Sequence, residues 1–162
     1  MMEESKLTDI DAVDFEILKI LSEDGRVAYN KIADELNKSP VTIKKHVIDL
    51  EEKGIIEGYG AKVNLDKLGF NLIAFIEITV SKGKMFEVEE KIARNPNVFG
   101  VYDITGTYDA LVMARFKSRE QLSDMIKDIH KSPYVERTNT HIILNVIKEG
   151  TNLAEVLENE NL

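Results

Sequence analysis

Lys38, Ser39, Thr42, Lys44, Lys45 and His46 fall within nine residues, and nothing acidic lies between Lys38 and Ile48. Ammonium groups contact phosphates, while hydroxyls and imidazole bond either phosphates or base edges. Ser39 is a good N-cap and Pro40 fits the first helical position, so a helix is expected from Pro40 onward. Within it Ile43, Val47 and Leu50 share one face and can be buried. Thr42, Lys45, His46 and Asp49 repeat the same spacing on another face. That polar, mostly basic face suits a helix lying in the major groove of DNA with its first turns against base edges. Lys38, Lys44 and Lys45 are the candidates for phosphates, and Thr42 and His46 for base edges or phosphates. Ser39 caps the helix, and its hydroxyl and the nearby N–H groups can meet a phosphate. A solvated face on an ordinary amphipathic helix shows the same spacing, so the neighbouring elements must decide.

A second constellation lies further on. Tyr102, Gly106, Tyr108 and Asp109 surround a turn. Asp109 offers a carboxylate for an ammonium group, and Gly106 lets a ligand approach the backbone. Thr138 and Thr140 have one parity on a strand and can donate hydroxyls to a carboxylate. A plain hairpin turn with ordinary strand threonines fits the same residues.

Other chemistry finds little support. His46, His130 and His141 are far apart and lack metal-ligand spacing, so no metal is expected. Cysteine is absent. There is no nucleophile elbow, no Gly-rich phosphate loop and no H-E-x-x-H, and Glu51-Glu52 and Glu89-Glu90 are helix neighbours that point apart. Neither an enzyme nor a cofactor is expected.

The elements that must position these residues read as follows. Asp11 caps a helix to about Asp24, with Val13, Ile17, Leu18, Ile20 and Leu21 as its apolar stripe. Ala28–Leu36 is a short second helix. The link Asn37-Lys38-Ser39 then gives a helix-turn-helix pattern. Ile55–Val63, broken by Gly58 and Gly60, reads as a small hairpin or wing. The second half repeats itself: strands at Leu72–Val80, Val98–Thr105, Ala110–Phe116 and Arg137–Ile147, and helices at Lys84–Arg94 and Ser118–Lys131. Asn95-Pro96-Asn97-Val98 matches Ser132-Pro133-Tyr134-Val135 as a proline stop before a strand. The order is a ferredoxin-like βαββαβ sandwich. The division expected is a DNA-binding domain over residues 1–60, a connector over 61–71, a second, oligomerisation domain over 72–148 and a tail over 149–162. Ala74, Ile76 and Ile78 alternate with Ile73 and Phe75, so the sheet is apolar on both faces while helices cover only one. A second subunit is the simplest cover for the other.

The 162 residues are 43% hydrophobic and 31% charged, as in ordinary globular chains. With no long apolar run and no signal peptide, no membrane partner and a cytoplasmic location are expected. The formal net charge of -8 argues against a charge-driven nucleic-acid coat but leaves room for a local basic patch.

Taken together, I-D-A-V-D-F-E-I-L-K-I-L-S-E-D-G-R (10–26), I-A-D-E-L (32–36), S-P-V-T-I-K-K-H-V-I-D-L-E-E-K-G-I-I-E-G-Y (39–59), L-G-F-N (68–71), V-F-G-V-Y-D-I-T-G-T-Y-D (98–109) and V-E-R-T-N-T (135–140) resemble the Lrp/AsnC, or feast/famine, family of bacterial and archaeal transcription regulators. The resemblance runs from about Ile10 to Ile147. It implies an α+β chain, with an N-terminal winged helix-turn-helix joined to a C-terminal effector-sensing sandwich. It also implies double-stranded DNA as partner, a homodimer through the second domain, assembly to an octamer or similar ring, and a free amino acid bound between dimers near Gly106–Asp109. Thr107 stands where the family commonly has an acid, which removes one negative charge from the surroundings of a ligand's ammonium group. An amino-acid-responsive, sequence-specific regulator is therefore expected. An effector-independent DNA-organising oligomer is the alternative. A sensing subunit of an enzyme is disfavoured, because it has no need of the helix at Pro40.

Overall fold

The computed structural model describes residues 10–81 and 83–159. They divide into two compact units, one running to Lys62 and taking in the chain again from Lys148, the other spanning Val63–Ile147.

The first unit holds helices α1 (Ala12–Glu23), α2 (Tyr29–Glu35) and α3 (Pro40–Glu52). Each start and stop has a local cause. The Asp11 side chain accepts the N–H groups of Val13 and Asp14, and Asp14 reaches back to the Asp11 N–H at 3.0 Å, a reciprocal capping box. The turn between α2 and α3 runs through Asn37 at φ 52°, a left-handed conformation that asparagine tolerates. Ser39 caps α3 by accepting the Thr42 N–H at 3.0 Å. Gly54, at φ 69°, ends it, with the Ile55 N–H on the Leu50 carbonyl and the Gly54 N–H on that of Glu51. Ile17, Ile32, Ala33, Ile43, Val47 and Leu50 form the core, and Ile55 and Ile56 pack against it. Each large side chain buried there contributes about 1.5–3 kcal/mol.

Two expectations change in this unit. The hairpin after α3 is not paired: residues 57–64 form neither strand nor helix. Gly58 and Gly60 split the run into pieces too short to hold a ladder, and Tyr59 instead donates its hydroxyl to Glu51 at 2.9 Å. The segment read as a tail carries a further helix at Leu153–Asn159, which lies against α1 and buries Leu157.

The second unit is β1 (Leu72–Val80), α4 (Met85–Ala93), β2 (Val98–Asp103), β3 (Ala110–Phe116), α5 (Arg119–His130) and β4 (Val135–Ile142), so the helix at Leu153 is α6. The strands lie in the order β2-β3-β1-β4, every pair antiparallel. This is the ferredoxin-like arrangement. Ala74, Ile76, Ile78, Val112 and Ala114 face the helices and meet Val88, Ile92, Leu122, Met125 and Ile129. β4 starts and stops earlier than its apolar run. Pro133 ends the turn before it, and pairing stops once the Ile143 N–H reaches the Ile73 carbonyl at 2.9 Å, near the start of β1. Most of the expected connector belongs to this unit. Asp66 pairs with Arg115 at 3.3 Å, and Phe70 lies under the Lys117 ammonium.

Candidate nucleic-acid interface and effector loop

The α3 helix separates its faces as its spacing requires. Ile43, Val47 and Leu50 are buried, while Lys38, Ser39, Lys44 and Lys45 are exposed and Thr42 is half-buried. Lys38, Lys44 and Lys45 form no salt bridge among the described residues. By contrast, Lys19, Lys53, Lys84, Lys127 and Lys131 each hold a carboxylate three or four residues away. The Ser39 and Thr42 hydroxyls bond each other at 2.8 Å, which fixes both at the first turn. Hydroxyls keep further bonding capacity, so this does not remove them from a phosphate or a base.

His46 is placed differently from its five companions. Its Nδ1 lies 2.6 Å from Oδ1 of Asp14, a residue only 4% exposed. Asp14 thus closes the cap of α1 with one oxygen and ties α3 to α1 with the other. The Asp14 N–H, helped by that of Val13, holds the Asp11 carboxyl below its usual range. Asp11, Asp14 and His46 converge closely enough to suggest ligands to a metal, a grouping that no sequence spacing announces. Asp11 Oδ1 and both Asp14 oxygens are already engaged in capping and in the bond between helices.

The turn after β2 closes through Asp109. Its Oδ2 accepts the Val80 N–H at 2.9 Å, its own N–H donates to the Ile78 carbonyl, and its carbonyl accepts the Ile104 N–H. Gly106 sits at φ 129°, where a side chain would be strained. Tyr108 lies under the Arg137 guanidinium, 4.9 Å from ring centre to carbon. Thr138 pairs with Ile78 and bonds His130 of α5 at 2.9 Å, so Thr138 and, two residues on, Thr140 face the helix layer. Tyr102 pairs with Leu111 on the opposite, uncovered face, its ring over Gly100, where a Cβ would come within 2.6 Å of it. Within one chain the expected effector residues are therefore split. Thr107, Tyr108 and Asp109 lie together, whereas Tyr102 and the two threonines lie on opposite faces.

Residues 10–57 match the family model for a winged helix-turn-helix DNA-binding domain, and residues 73–153 match that of the Lrp/AsnC ligand binding domain. The chain belongs to the Lrp/AsnC family. It is a DNA-binding transcription regulator carrying that family's ligand-binding domain. An uncharacterized HTH-type transcriptional regulator of Pyrococcus furiosus is 42% identical over 90% of this chain and 98% of its own length. The HTH-type transcriptional regulator FL11 of the same organism is 38% identical over 89% and 95%. Among solved structures, E. coli AsnC superposes with a TM-score of 0.84 at 28% identity, covering 88% of this chain and 97% of its own. A Neisseria meningitidis transcriptional regulator solved in complex with L-Met gives 0.79 at 26%, covering 88% and 95%.

Two residues of this Lrp/AsnC chain escaped the sequence reading. Val41, on the first turn of α3, is 78% exposed, an apolar side chain on an otherwise polar surface. Its place in the helical period, off the Ile43–Val47–Leu50 stripe, was the available signal. Arg137 owes its place over Tyr108 to strand register, which no local pattern specifies.

Proposed function

We propose that the protein is a sequence-specific regulator whose α3 helix enters the major groove. Lys38, Lys44 and Lys45 hold phosphates, and Thr42 and Val41 meet base edges. The observation that carries this reading is the set of three lysines without salt bridges on a chain of net charge -8. Asp11, Asp14 and Asp49 line a hollow with Lys45, and Lys38 helps hold the Asp11 carboxyl low, but these acids are engaged in the α1 cap, with His46 and with Lys53, so the three lysines keep positive potential on α3. A hydroxyl serves either edge of a base pair, and an exposed valine suits a thymine methyl. His46 acts chiefly through Asp14, setting the angle between α1 and α3.

The working unit is a homodimer formed through the uncovered sheet face. Phe75, Leu111 and Met113 are half-buried there and Tyr102 is exposed, on the face opposite α4 and α5. Higher rings built from such dimers fit the family. The effector is a free amino acid at the Gly106–Asp109 loop, supported by the ligand-binding domain match and by the L-Met complex of the Neisseria relative. Asp109 already serves Val80, so the ammonium group is left with less acid than in relatives carrying an acid at the position of Thr107. That shortage favours a second reading, an oligomer that organises DNA without an effector.

Selection of duplexes from a random pool by the full chain tests both. A recovered consensus with two-fold symmetry, relaxed at one base pair by Val41→Ala, is expected. Recovery of no consensus overturns sequence-specific reading. Titration calorimetry with each common amino acid separates the two readings: heat at millimolar ligand, strengthened by Thr107→Glu, supports the effector. No heat from either protein favours the organising oligomer.

A further inference from the structure

α4 and α5 do not close against one another. Between them lies a cleft of about 440 Å³. Its walls come from equivalent positions in the two halves of the internal repeat, thirty-seven residues apart, so it sits on the pseudo-two-fold axis of the domain. Val88 answers Met125, and Ile92 answers Ile129, to make an apolar floor. These four keep 3–6% of their surface exposed, whereas Ala74, Ile76, Val112 and Ala114 of the sheet beneath them keep none. The residual exposure marks a floor open to something small, since a well-closed layer leaves no such gap.

The rim breaks the symmetry in charge. Lys91 of α4 stands where α5 has Asp128, and Arg94 stands where α5 has Lys131. On the α5 side the charges cancel, because Lys131 holds Asp128 at 2.6 Å. On the α4 side Lys91 has no salt bridge among the described residues, its charge only helping Lys131 to lower the Asp128 carboxyl, and Arg94 reaches Glu90 at 3.8 Å with both side chains largely in water. Asn95 and Ser132, another equivalent pair, add neutral hydrogen-bonding groups at the mouth. A cavity of this size, apolar at its base and carrying excess positive charge on one wall, has the features of a small-ligand site. Its complement is a short apolar chain ending in an anion.

We propose that the cleft between α4 and α5 binds a small amphipathic carboxylate, its apolar tail on Val88, Ile92, Met125 and Ile129 and its carboxylate against Lys91 and Arg94. This site is separate from the Gly106–Asp109 loop and does not depend on an effector there. A carboxylate on two cations forms charge-assisted hydrogen bonds, and the tail gains from leaving water. Binding there would add a second metabolic input to the ligand-binding domain, read through the helix layer.

Methyl NMR of the full chain, titrated with hexanoate and separately with hexylamine, tests this. Hexanoate is expected to shift the Met125, Ile92 and Ile129 methyl signals in a saturable way, and hexylamine to leave them in place. The exposed double variant Lys91→Glu/Arg94→Glu is expected to weaken hexanoate by about tenfold or more, with its other methyl signals unchanged. The proposal is overturned if hexanoate leaves those methyls unmoved, if hexylamine binds as well, or if the double variant binds hexanoate as the parent does.

Discussion

Lys44 and Lys45 are exposed and hold no carboxylate, so removing them changes little but the charge offered to DNA. Lys44→Ala/Lys45→Ala should weaken binding to all duplexes and flatten the slope of log affinity against log salt by about two. A fluorescence titration across a salt series reads both, and an unchanged slope would remove these lysines from the interface. His46 behaves otherwise, because its partner is buried. His46→Ala strips Asp14 Oδ1 of its partner among the described residues, and leaving such a group unsatisfied costs about 1–3 kcal/mol. Urea unfolding of that variant should show the loss, and unaltered stability would return His46 to a purely DNA-contacting role. The contrast shows what residue spacing can and cannot disclose. The lysines were legible because exposure follows from helical period. The tie from His46 to Asp14 spans thirty-two positions and depends on how α1 crosses α3.

At the scale of elements, the strands and helices of the sandwich were legible because apolar alternation and proline stops mark them. Leu72–Val80 and Ala110–Phe116 stand where their patterns put them. The unpaired course of residues 57–64 was not, since the short apolar pieces around Gly58 and Gly60 suggest a hairpin whose pairing depends on surroundings that a local pattern does not contain. Nor was the contact between α4 and the end of β2, where the Glu89 and Asp103 carboxyls meet. Burial, with the hydrogen bond and charge of Asp103, pushes Glu89 up to about 7 from its ordinary 4.5. A folded-state value above the unfolded one means that the native form binds the extra proton. The stabilisation is therefore complete below about pH 4.5 and is lost as pH rises through about 7. Chemical denaturation between about pH 5 and pH 8 should show stability falling with pH on this account. Glu89→Gln, which stays neutral, should flatten that fall. An equal slope in the variant would place the titrating group elsewhere.

At the scale of the molecule, the uncovered face of the sheet is the surface on which the proposed dimer rests. Phe75 pairs with Met113 and His141, and Glu77 with Leu111 and Asn139, so one row is mainly apolar and the next is mixed. Glu77 accepts from Asn139 at 2.8 Å and lies 3.0 Å from His141, and these two bonds, His141 first, hold its carboxyl below the usual range. Glu77 Oε2 thus takes bonds from β4 within the sheet, which lowers the cost of covering that oxygen with a second sheet. A dimer made here buries the half-exposed apolar rows of both chains against one another. It also presents two α3 helices to DNA, and two linked sites bind far more tightly than one. Met113→Lys places a charge in the apolar row, where half-burial gives it room to fold in the monomer and none in the dimer. Sedimentation of this variant at about 10 µM should show a monomer where the parent is at least a dimer, a protein concentration at which a standard interface is saturated. Circular dichroism should be unchanged, and affinity for a two-fold symmetric site should fall by about a hundredfold, while single half-site binding persists. A Met113→Lys chain that remains dimeric and binds the symmetric site as the parent does would show that the subunits meet through another surface.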